Sequence, residues 1–155
     1  MTLRLVPIGP GADTEKLASE LAPGFGGDPG AAREILLQTV DFLTREPRAD
    51  PWGSYIGYAG ETPVALGAFK SAPDGTGAVE IAYMTFPSHE GKGYARAMVP
   101  TLYALATRHG ASLVVAHTLP QENASNRALR SSGFAFSGEV EDPEDGPVWR
   151  WEKRG

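Results

Sequence analysis

Short apolar runs separated by polar and glycine-rich stretches mark the strands of this chain. Residues 2–9 alternate apolar and polar positions, which is typical of a strand with one buried face, and residues 52–60 and 62–70 are two further strand-like runs. The dipeptide Gly60-Glu61 lies between two of these runs and predicts an antiparallel hairpin. Residues 78–86 alternate little, so we predict a buried strand near the middle of the sheet.

Other stretches repeat their apolar residues at helical spacing. Residues 13–22 begin with Asp13, a good N-cap residue, and stop at a proline. Residues 31–46 have the clearest helical pattern, and residues 95–110 and 123–132 each end at or next to a glycine. We therefore predict four helices.

The remaining segments complete the order of elements. Residues 22–30 are rich in glycine and proline, so we predict an irregular loop that could act as a mobile lid. Residues 112–118 predict a buried strand, and 134–140 with 148–153 predict a closing hairpin. The order βααβββαβαββ indicates an α/β (α+β) fold, with a mixed, mostly antiparallel sheet and helices on both faces.

Composition limits the classes of function. The chain has 155 residues, of which 41% are hydrophobic, so residues 1–155 are predicted to form one domain. The absence of cysteine excludes disulfides, thiolate metal sites and a cysteine nucleophile. We also expect no bound metal, because the three histidines lack ligand spacing.

Charge and hydropathy point to a protein without nucleic-acid or membrane partners. The formal net charge is −5, whereas binding to a nucleic-acid backbone needs clustered Lys and Arg. No apolar run approaches the ~18 residues of a membrane span, and no secretory signal pattern is present. We expect a cytoplasmic protein.

The stretch HEGKGYARAM, residues 89–98, follows an apolar run and precedes a helical pattern. Glycines in such a turn leave backbone N–H groups exposed, and a helix start adds a partial positive charge, so the turn could hold a phosphate. It could also need its glycines only for shape. The dinucleotide fingerprint fails because Arg96 replaces its third glycine, and the nucleotide P-loop fails because neither Ser nor Thr follows Lys92.

The segment EIAYMTFPSHEGKGYARAM resembles the coenzyme A binding segment of the GNAT superfamily of acetyl-CoA-dependent N-acetyltransferases. The family frame of Gln or Arg, two residues, Gly, one residue, and Gly or Ala falls on Glu90, Gly93 and Ala95. Glu90 departs from it, and we expect its side chain to point away from the pyrophosphate while its backbone N–H contributes. The later segment AHTLPQENASNRALRSSGF is similar to the RimJ/RimL branch, which acetylates ribosomal-protein N-termini.

The resemblance implies a GNAT fold, acetyl-CoA as co-substrate and direct transfer of the acetyl group to a primary amine. The residues that it places against the coenzyme are Met84, Thr85, Phe86, Glu90, Gly91, Lys92, Gly93, Tyr94, Ala95, Arg96, Asn123 and Ser125. Dimerisation is common among relatives, but no sequence feature here fixes the oligomeric state, so a homodimer stays open.

Acetyl transfer needs a base, an oxyanion site and a proton donor. The resemblance implies Glu80 as base, although it could also be a solvent-facing strand residue. It implies a backbone N–H near the end of the same strand for the oxyanion. Many relatives use a tyrosine as proton donor where this chain has Leu129, so Ser125 or a water must substitute. Ser125 and Asn123 are equally suited to cap a helix.

Substrate signals are weaker. The acidic stretch 138–146 could attract a cationic amine or could be only a solvated turn. Trp149 and Trp151 share one strand face and could wall an acceptor pocket or fill the core. His117 could relay a proton or be structural. The acceptor stays open between a protein N-terminus and a small-molecule amine, and the rival function is a coenzyme A binding module without catalysis.

Overall fold

The structure is a computed structural model and describes residues 2–155. Its seven strands and four α-helices follow the predicted order βααβββαβαββ. The strands are β1 (Arg4–Ile8), β2 (Ser54–Ala59), β3 (Thr62–Phe69), β4 (Ala78–Thr85), β5 (Leu113–Thr118), β6 (Ala135–Asp142) and β7 (Gly146–Arg154). The helices are α1 (Thr14–Leu21), α2 (Pro29–Arg45), α3 (Tyr94–Arg108) and α4 (Ala124–Ser131).

The strands form one sheet in the order β1-β2-β3-β4-β5-β7-β6. β4 is the middle strand, as predicted, and it pairs in parallel with β5. All other neighbouring strands pair antiparallel, which confirms a mixed, mostly antiparallel sheet. The ladder between β4 and β5 ends where Ile81 faces Ala116, so the two strands separate beyond this point.

Helices cover both faces of the sheet, as predicted. On one face, here called the α3 face, α3 and α4 pack on a core that includes Val79, Ile81, Met98, Leu102, Leu129 and Trp151. On the opposite face, here called the α2 face, α1 and α2 pack on a core that includes Ala18, Leu21, Leu36, Ile56 and Phe86. Alternation along each strand therefore decides which core, and which groove, a side chain can reach.

The prediction of an irregular loop over residues 22–30 is wrong. Ala22–Phe25 form a 3-10 turn, and α2 already begins at Pro29. Asp28 caps this helix, because its carboxylate accepts a hydrogen bond from the N–H of Gly30 at 2.9 Å. Proline fits the first helical turn, where its missing N–H would have no partner in any case.

This segment is also tied to the chain that follows β4. A Cβ added at Gly24 would lie 3.0 Å from the ring of Phe86, so the backbone passes directly over that ring. The N–H of Gly26 donates to the hydroxyl of Ser88 at 3.0 Å. The segment between α1 and α2 is therefore in contact with the glycine turn region.

The longest helix described is α2, with 17 residues. Within residues 2–155, no helix has both the length and the apolar character that crossing a bilayer requires.

Candidate active site

The glycine turn lies between the end of β4 and the start of α3. Pro87–His89 form a short 3-10 turn after the strand. Gly91 and Gly93 have φ angles of +78° and +85°, a backbone region that side chains with a Cβ rarely adopt. Gly93 is the N-cap of α3 and no side chain caps this helix. The first N–H groups of α3 are thus left for an external acceptor, as in anion-binding helix starts.

The turn forms one wall of a groove of about 850 Å³ on the α3 face. The other walls are the last residues of β4 and the start of α4. Ten of the twelve residues predicted to contact coenzyme A line this groove; they are Met84, Thr85, Glu90, Gly91, Gly93, Tyr94, Ala95, Arg96, Asn123 and Ser125. Sequence positions about 30 residues apart thus converge on one cavity.

Phe86 and Lys92 are the two predicted contact residues that do not line the groove. The Phe86 side chain is fully buried on the α2 face, with its ring 4.9 Å from the ring of Phe25. Its backbone N–H donates to the carbonyl of Val64 at 2.9 Å, so it is engaged within the sheet. Lys92 lies exposed at the tip of the turn, outside the groove.

Glu90 lines the groove, but its backbone N–H is already engaged. The N–H donates to the carbonyl of Pro87 at 3.4 Å, which closes the short 3-10 turn. The expectation that this N–H would bind a pyrophosphate is therefore not supported by the turn geometry. The exposed N–H groups of the glycine turn and of the first turn of α3 are better placed for that task.

Tyr83 is a groove residue that sequence reasoning missed. Its hydroxyl donates to the carbonyl of Ser125 at 3.4 Å, which links β4 to the start of α4. Burial raises the pKa of Tyr83 well above its ordinary value, and the hydrogen bond to Ser125 lowers it only partly. Leu129 is fully buried in the core, so its position on α4 offers no polar group to the groove. Period-two alternation from Thr85 could have identified Tyr83.

Asn126 is a second residue that the sequence reasoning missed, and it fixes the start of α4. The side chain is fully buried and its Oδ1 accepts a hydrogen bond from Nε1 of Trp151 at 3.0 Å. It also bonds with the hydroxyl of Thr118 and with the carbonyls of Leu119 and Gln121. This network holds the helix start in place, while the Asn123 cap accepts the backbone N–H of Asn126 at 2.9 Å.

The separation of β4 from β5 leaves backbone groups facing the gap. The carbonyl of Glu80 and the N–H of Phe86 form hydrogen bonds on the β3 side of β4. The backbone N–H and C=O groups of the odd-numbered residues between them therefore point toward β5. Tyr83 and Thr85 lie beyond the last β5 pair, at Ile81. Their N–H groups are suited to bind an acyl oxygen or an amide arm placed between the strands.

Glu80 lies on the α2 face, on the other side of the sheet from the groove with the glycine turn. Its Oε2 is 3.1 Å from Nζ of Lys70 on the chain just after β3. The same oxygen is 2.9 Å from Nδ1 of His117 on β5. This contact is short but out of line for a hydrogen bond, so Nδ1 is buried without a hydrogen-bond partner. The three side chains form a row across β3, β4 and β5.

A second groove, of about 560 Å³, lies on the α2 face beside this row. Its floor is made of small strand side chains at Ser54, Ala68 and Ala82, and α2 forms one wall. The opposite wall is the turn between β6 and β7, and Lys70 also lines the groove. The acidic residues of this turn are Asp142, Glu144 and Asp145.

Much of the acidic stretch 138–146 belongs to β6, and its last four residues before β7 turn toward the second groove. Asp142 accepts the backbone N–H groups of Glu144 and Asp145 at 2.9 and 3.0 Å. These backbone hydrogen bonds, Asp145 first, lower the pKa of Asp142 below its ordinary value. The stretch is therefore both an ordered turn and part of a groove wall.

The two tryptophans of β7 lie away from the second groove. Trp151 is buried in the core of the α3 face, where Phe136 contacts it with ring centroids 5.5 Å apart. Trp149 is partly buried against the same core. Neither lines the second groove, so the structure favours their role in core packing.

Solved structures share this fold over nearly the whole chain. RimL, the ribosomal L7/L12 alpha-N-protein acetyltransferase in complex with coenzyme A, has a TM-score of 0.72 at 15% identity, with 99% of this chain and 94% of that chain covered. An acetyltransferase from Salmonella typhimurium that modifies the N-terminal serine of ribosomal protein L7/L12 has a TM-score of 0.71 at 16% identity, with 100% and 96% covered. AAC(6')-Ib in complex with paromomycin and acetyl-CoA has a TM-score of 0.72 at 21% identity, with 99% and 94% covered.

At these identities the similarities establish the fold, and RimL agrees with the resemblance of the second segment to the RimJ/RimL branch. A comparison with curated protein sequences finds no match. A family model described as an acetyltransferase (GNAT) domain matches residues 12–135, which contain the glycine turn, the gap between β4 and β5, and α4. The chain therefore belongs to the GNAT acetyltransferase family.

Proposed function

We propose that this protein transfers the acetyl group of acetyl-CoA to a primary amine by direct attack through a tetrahedral intermediate. The observation that supports this best is that ten residues of two sequence segments line one groove beside the gap between β4 and β5. Family membership and the coenzyme-bound neighbours support the same cofactor. Residues 1–155 would form one catalytic domain, and we place it in the cytoplasm.

Each step is assigned to groups of this chain. N–H groups at the glycine turn and at the start of α3 would bind the pyrophosphate. The N–H groups of Tyr83 and Thr85 would bind the pantetheine arm and the thioester oxygen within the gap. The base function is assigned to Glu80, acting itself or through a group that it contacts. The Ser125 hydroxyl, which lies half-buried in the groove, or a water is assigned to protonate the thiolate.

The amine would enter through the second groove and meet the thioester at the gap. The acidic wall of Asp142, Glu144 and Asp145 favours an amine that carries positive charge. Structural neighbours include enzymes for a protein N-terminus and a complex with the aminoglycoside paromomycin, so both acceptor classes are retained.

Calorimetric titration with acetyl-CoA, NAD and ATP tests the coenzyme site. We expect acetyl-CoA to bind and the two nucleotides to bind at least tenfold more weakly, because the turn lacks both nucleotide fingerprints. Failure of acetyl-CoA to bind a folded sample would remove the acetyltransferase proposal. Selective binding would justify a turnover screen with alanine- and serine-starting peptides, 1,4-diaminobutane and benzylamine.

The alternative function, a coenzyme A sensor without catalysis, is separated from the enzyme by Glu80→Gln. An enzyme that depends on this carboxylate should lose about 100-fold in kcat and keep its affinity for acetyl-CoA. A matched control is Glu61→Gln, which removes an exposed carboxylate in the β2–β3 hairpin, away from both grooves. A sensor would bind acetyl-CoA and turn over none of the amines in the screen.

A further inference from the structure

The row formed by Lys70, Glu80 and His117 is built by the register of the sheet. Phe69 faces Ile81 in the pairing of β3 with β4, which brings Lys70 opposite Glu80. Glu80 faces Val115 in the pairing of β4 with β5, and His117 follows two residues later on the same face. The contacts of 3.1 and 2.9 Å thus join β4 and β5 to the chain just after β3. Lys70 is the member of the row that lines the second groove.

The Glu80 carboxylate oxygen that faces the row already has two partners. Its Oε2 contacts both the Lys70 ammonium and Nδ1 of His117. A carboxylate in this position is better suited to orient the imidazole than to take a proton itself. The contact is out of line for a hydrogen bond, but a negative charge 2.9 Å from Nδ1 still favours the tautomer with a proton on that nitrogen. This tautomer leaves the Nε2 lone pair available.

The two ring nitrogens of His117 differ in exposure. Nδ1 is buried, whereas Nε2 is not sealed from solvent and makes no hydrogen bond with residues 2–155. His117 is also the first residue of β5 beyond its last pair with β4, so it lies where the strands begin to separate. An amine held at the gap would therefore lie near this residue.

Resting on the proposed function, we infer that His117 is the proton acceptor of the reaction and that Glu80 positions its ring through Nδ1. The ammonium of the acceptor gives one proton to Nε2, and the neutral amine attacks the thioester carbonyl. The tetrahedral intermediate collapses as the C–S bond breaks. The second amine proton reaches the thiolate through the Ser125 hydroxyl or a water, and the imidazolium returns its proton to water.

Charged groups from all neighbouring strands face this histidine. Lys70 and Glu80 lie on the β3 and β4 side, and Asp142 lies at the end of β6. Backbone hydrogen bonds from Asp145 and Glu144 lower the pKa of Asp142 most, and the charges of Lys70 and His117 lower it further. Arg150 pairs directly with His117 across β5 and β7, and it is bound to Glu152 at 2.9 Å. The cations are Lys70 and Arg150, and the carboxylates are Glu80, Asp142 and Glu152. These groups allow the imidazole to change charge without leaving an isolated ion.

The first test is long-range nitrogen NMR of the histidine rings, which needs no acceptor. We expect neutral His117 to carry its proton on Nδ1, and Glu80→Leu to shift it toward Nε2. Glu80→Gln is a milder second variant that should give a smaller shift in the same direction. His89 and His109 are internal references whose signals should stay unchanged. A proton on Nε2 in the wild type, or no response to either variant, would overturn the inference.

The second test compares His117→Gln with the control His109→Gln, at the C-terminus of α3, in the amine assay. We expect His117→Gln to lower kcat about 100-fold at neutral pH, with much of the loss recovered at high pH, where the amine deprotonates without help. His109→Gln should stay within twofold of wild type.

The two proposals fail differently. If the wild type acetylates an amine and His117→Gln matches it at every pH, only the role of His117 is overturned. If the wild type binds no acetyl-CoA, the proposed function fails, and the role of His117 fails with it. In that case the NMR result still decides whether Glu80 orients the ring.

Discussion

The two faces of the sheet form their grooves in different ways. On the α3 face, the groove is built from two continuous segments, and the donors proposed for the coenzyme are backbone N–H groups at the glycine turn and the gap. On the α2 face, the groove combines side chains from α2, three strands and the β6–β7 turn. Ligand binding by backbone N–H groups requires glycines at fixed positions, so it produces a local sequence motif. Ligand binding by side chains that are far apart in the sequence produces no such motif. The proposed coenzyme side could therefore be predicted from the sequence, and the proposed acceptor side could not.

The largest effect is expected from Gly93→Val, which tests the backbone character of the α3 face. A β-branched residue cannot easily adopt the φ of +85°, so the start of α3 should move. Its N–H groups should then lose the charge-assisted hydrogen bonds proposed with the pyrophosphate. We expect acetyl-CoA affinity to fall about 100-fold by calorimetry, the equivalent of about 2.7 kcal/mol.

Gly60→Val is the matched control for this change. Gly60 also has positive φ, at +59°, but it lies in the β2–β3 hairpin away from either groove. The control should lose stability and keep its affinity. Equal affinity losses in both variants would mean that strain alone, and not the coenzyme site, explains the result for Gly93.

Asn126→Ala should have the next largest effect, because this side chain supports the α4 wall of the coenzyme groove. Its removal leaves the buried Thr118 hydroxyl without its acceptor, and it leaves the Trp151 indole N–H with only the longer bond of 3.2 Å to that hydroxyl. We expect a loss of about 2 kcal/mol in the free energy of unfolding and a Tm about 5 °C lower. Gln38→Ala, an exposed amide on α2, should change stability by less than about 0.5 kcal/mol. A loss as small as this for Asn126 would contradict its anchoring role.

The double change Glu144→Lys with Asp145→Lys tests the acceptor side through charge. KM for 1,4-diaminobutane should rise about fivefold, since an exposed pair of charges about 4 Å apart in water contributes about 1 kcal/mol. KM for benzylamine, which carries a single charge, should rise less, and added salt should reduce both effects. An unchanged KM for the diamine would show that the acidic wall is only a solvated turn.

The smallest effect is expected from Asp142→Asn, measured as stability against pH. Backbone hydrogen bonds lower the pKa of Asp142 in the folded state, so its carboxylate stabilises the fold above its unfolded pKa of about 4. This contribution is lost as the pH falls through the lower, folded pKa. Denaturant unfolding should show a deficit for the variant at pH 7 that disappears near pH 2. A deficit that persists there would indicate a change in the turn itself.

Local patterns predicted most of the fold. The order of elements and the central position of β4 followed from periodicity and from the lack of alternation in residues 78–86. The error over residues 22–30 came from counting prolines and glycines without their position. Asp28 followed by Pro29 is a helix start signal, and it outweighs composition here.

The candidate site was predictable only where it is continuous in sequence. Alternation could have identified Tyr83 as a groove residue. The sequence does not distinguish Phe86 from Met84 and Thr85 as a coenzyme contact, because its burial depends on the core of the α2 face. The contacts of Lys70, Glu80 and His117 depend on the register of three strands that are far apart in the sequence. No local pattern encodes that register, because hydrogen-bond ladders between strands are decided by the whole sheet.

The early end of the β4–β5 ladder leaves an opening between the two faces of the sheet. In the proposed reaction, two ligands from opposite faces would meet at this opening, so a single molecule could occupy both grooves. Joining coenzyme A to an amine through a short acyl bridge would make the second binding event intramolecular. Such a bisubstrate ligand should bind about 100-fold more tightly than acetyl-CoA alone, with no new contact required.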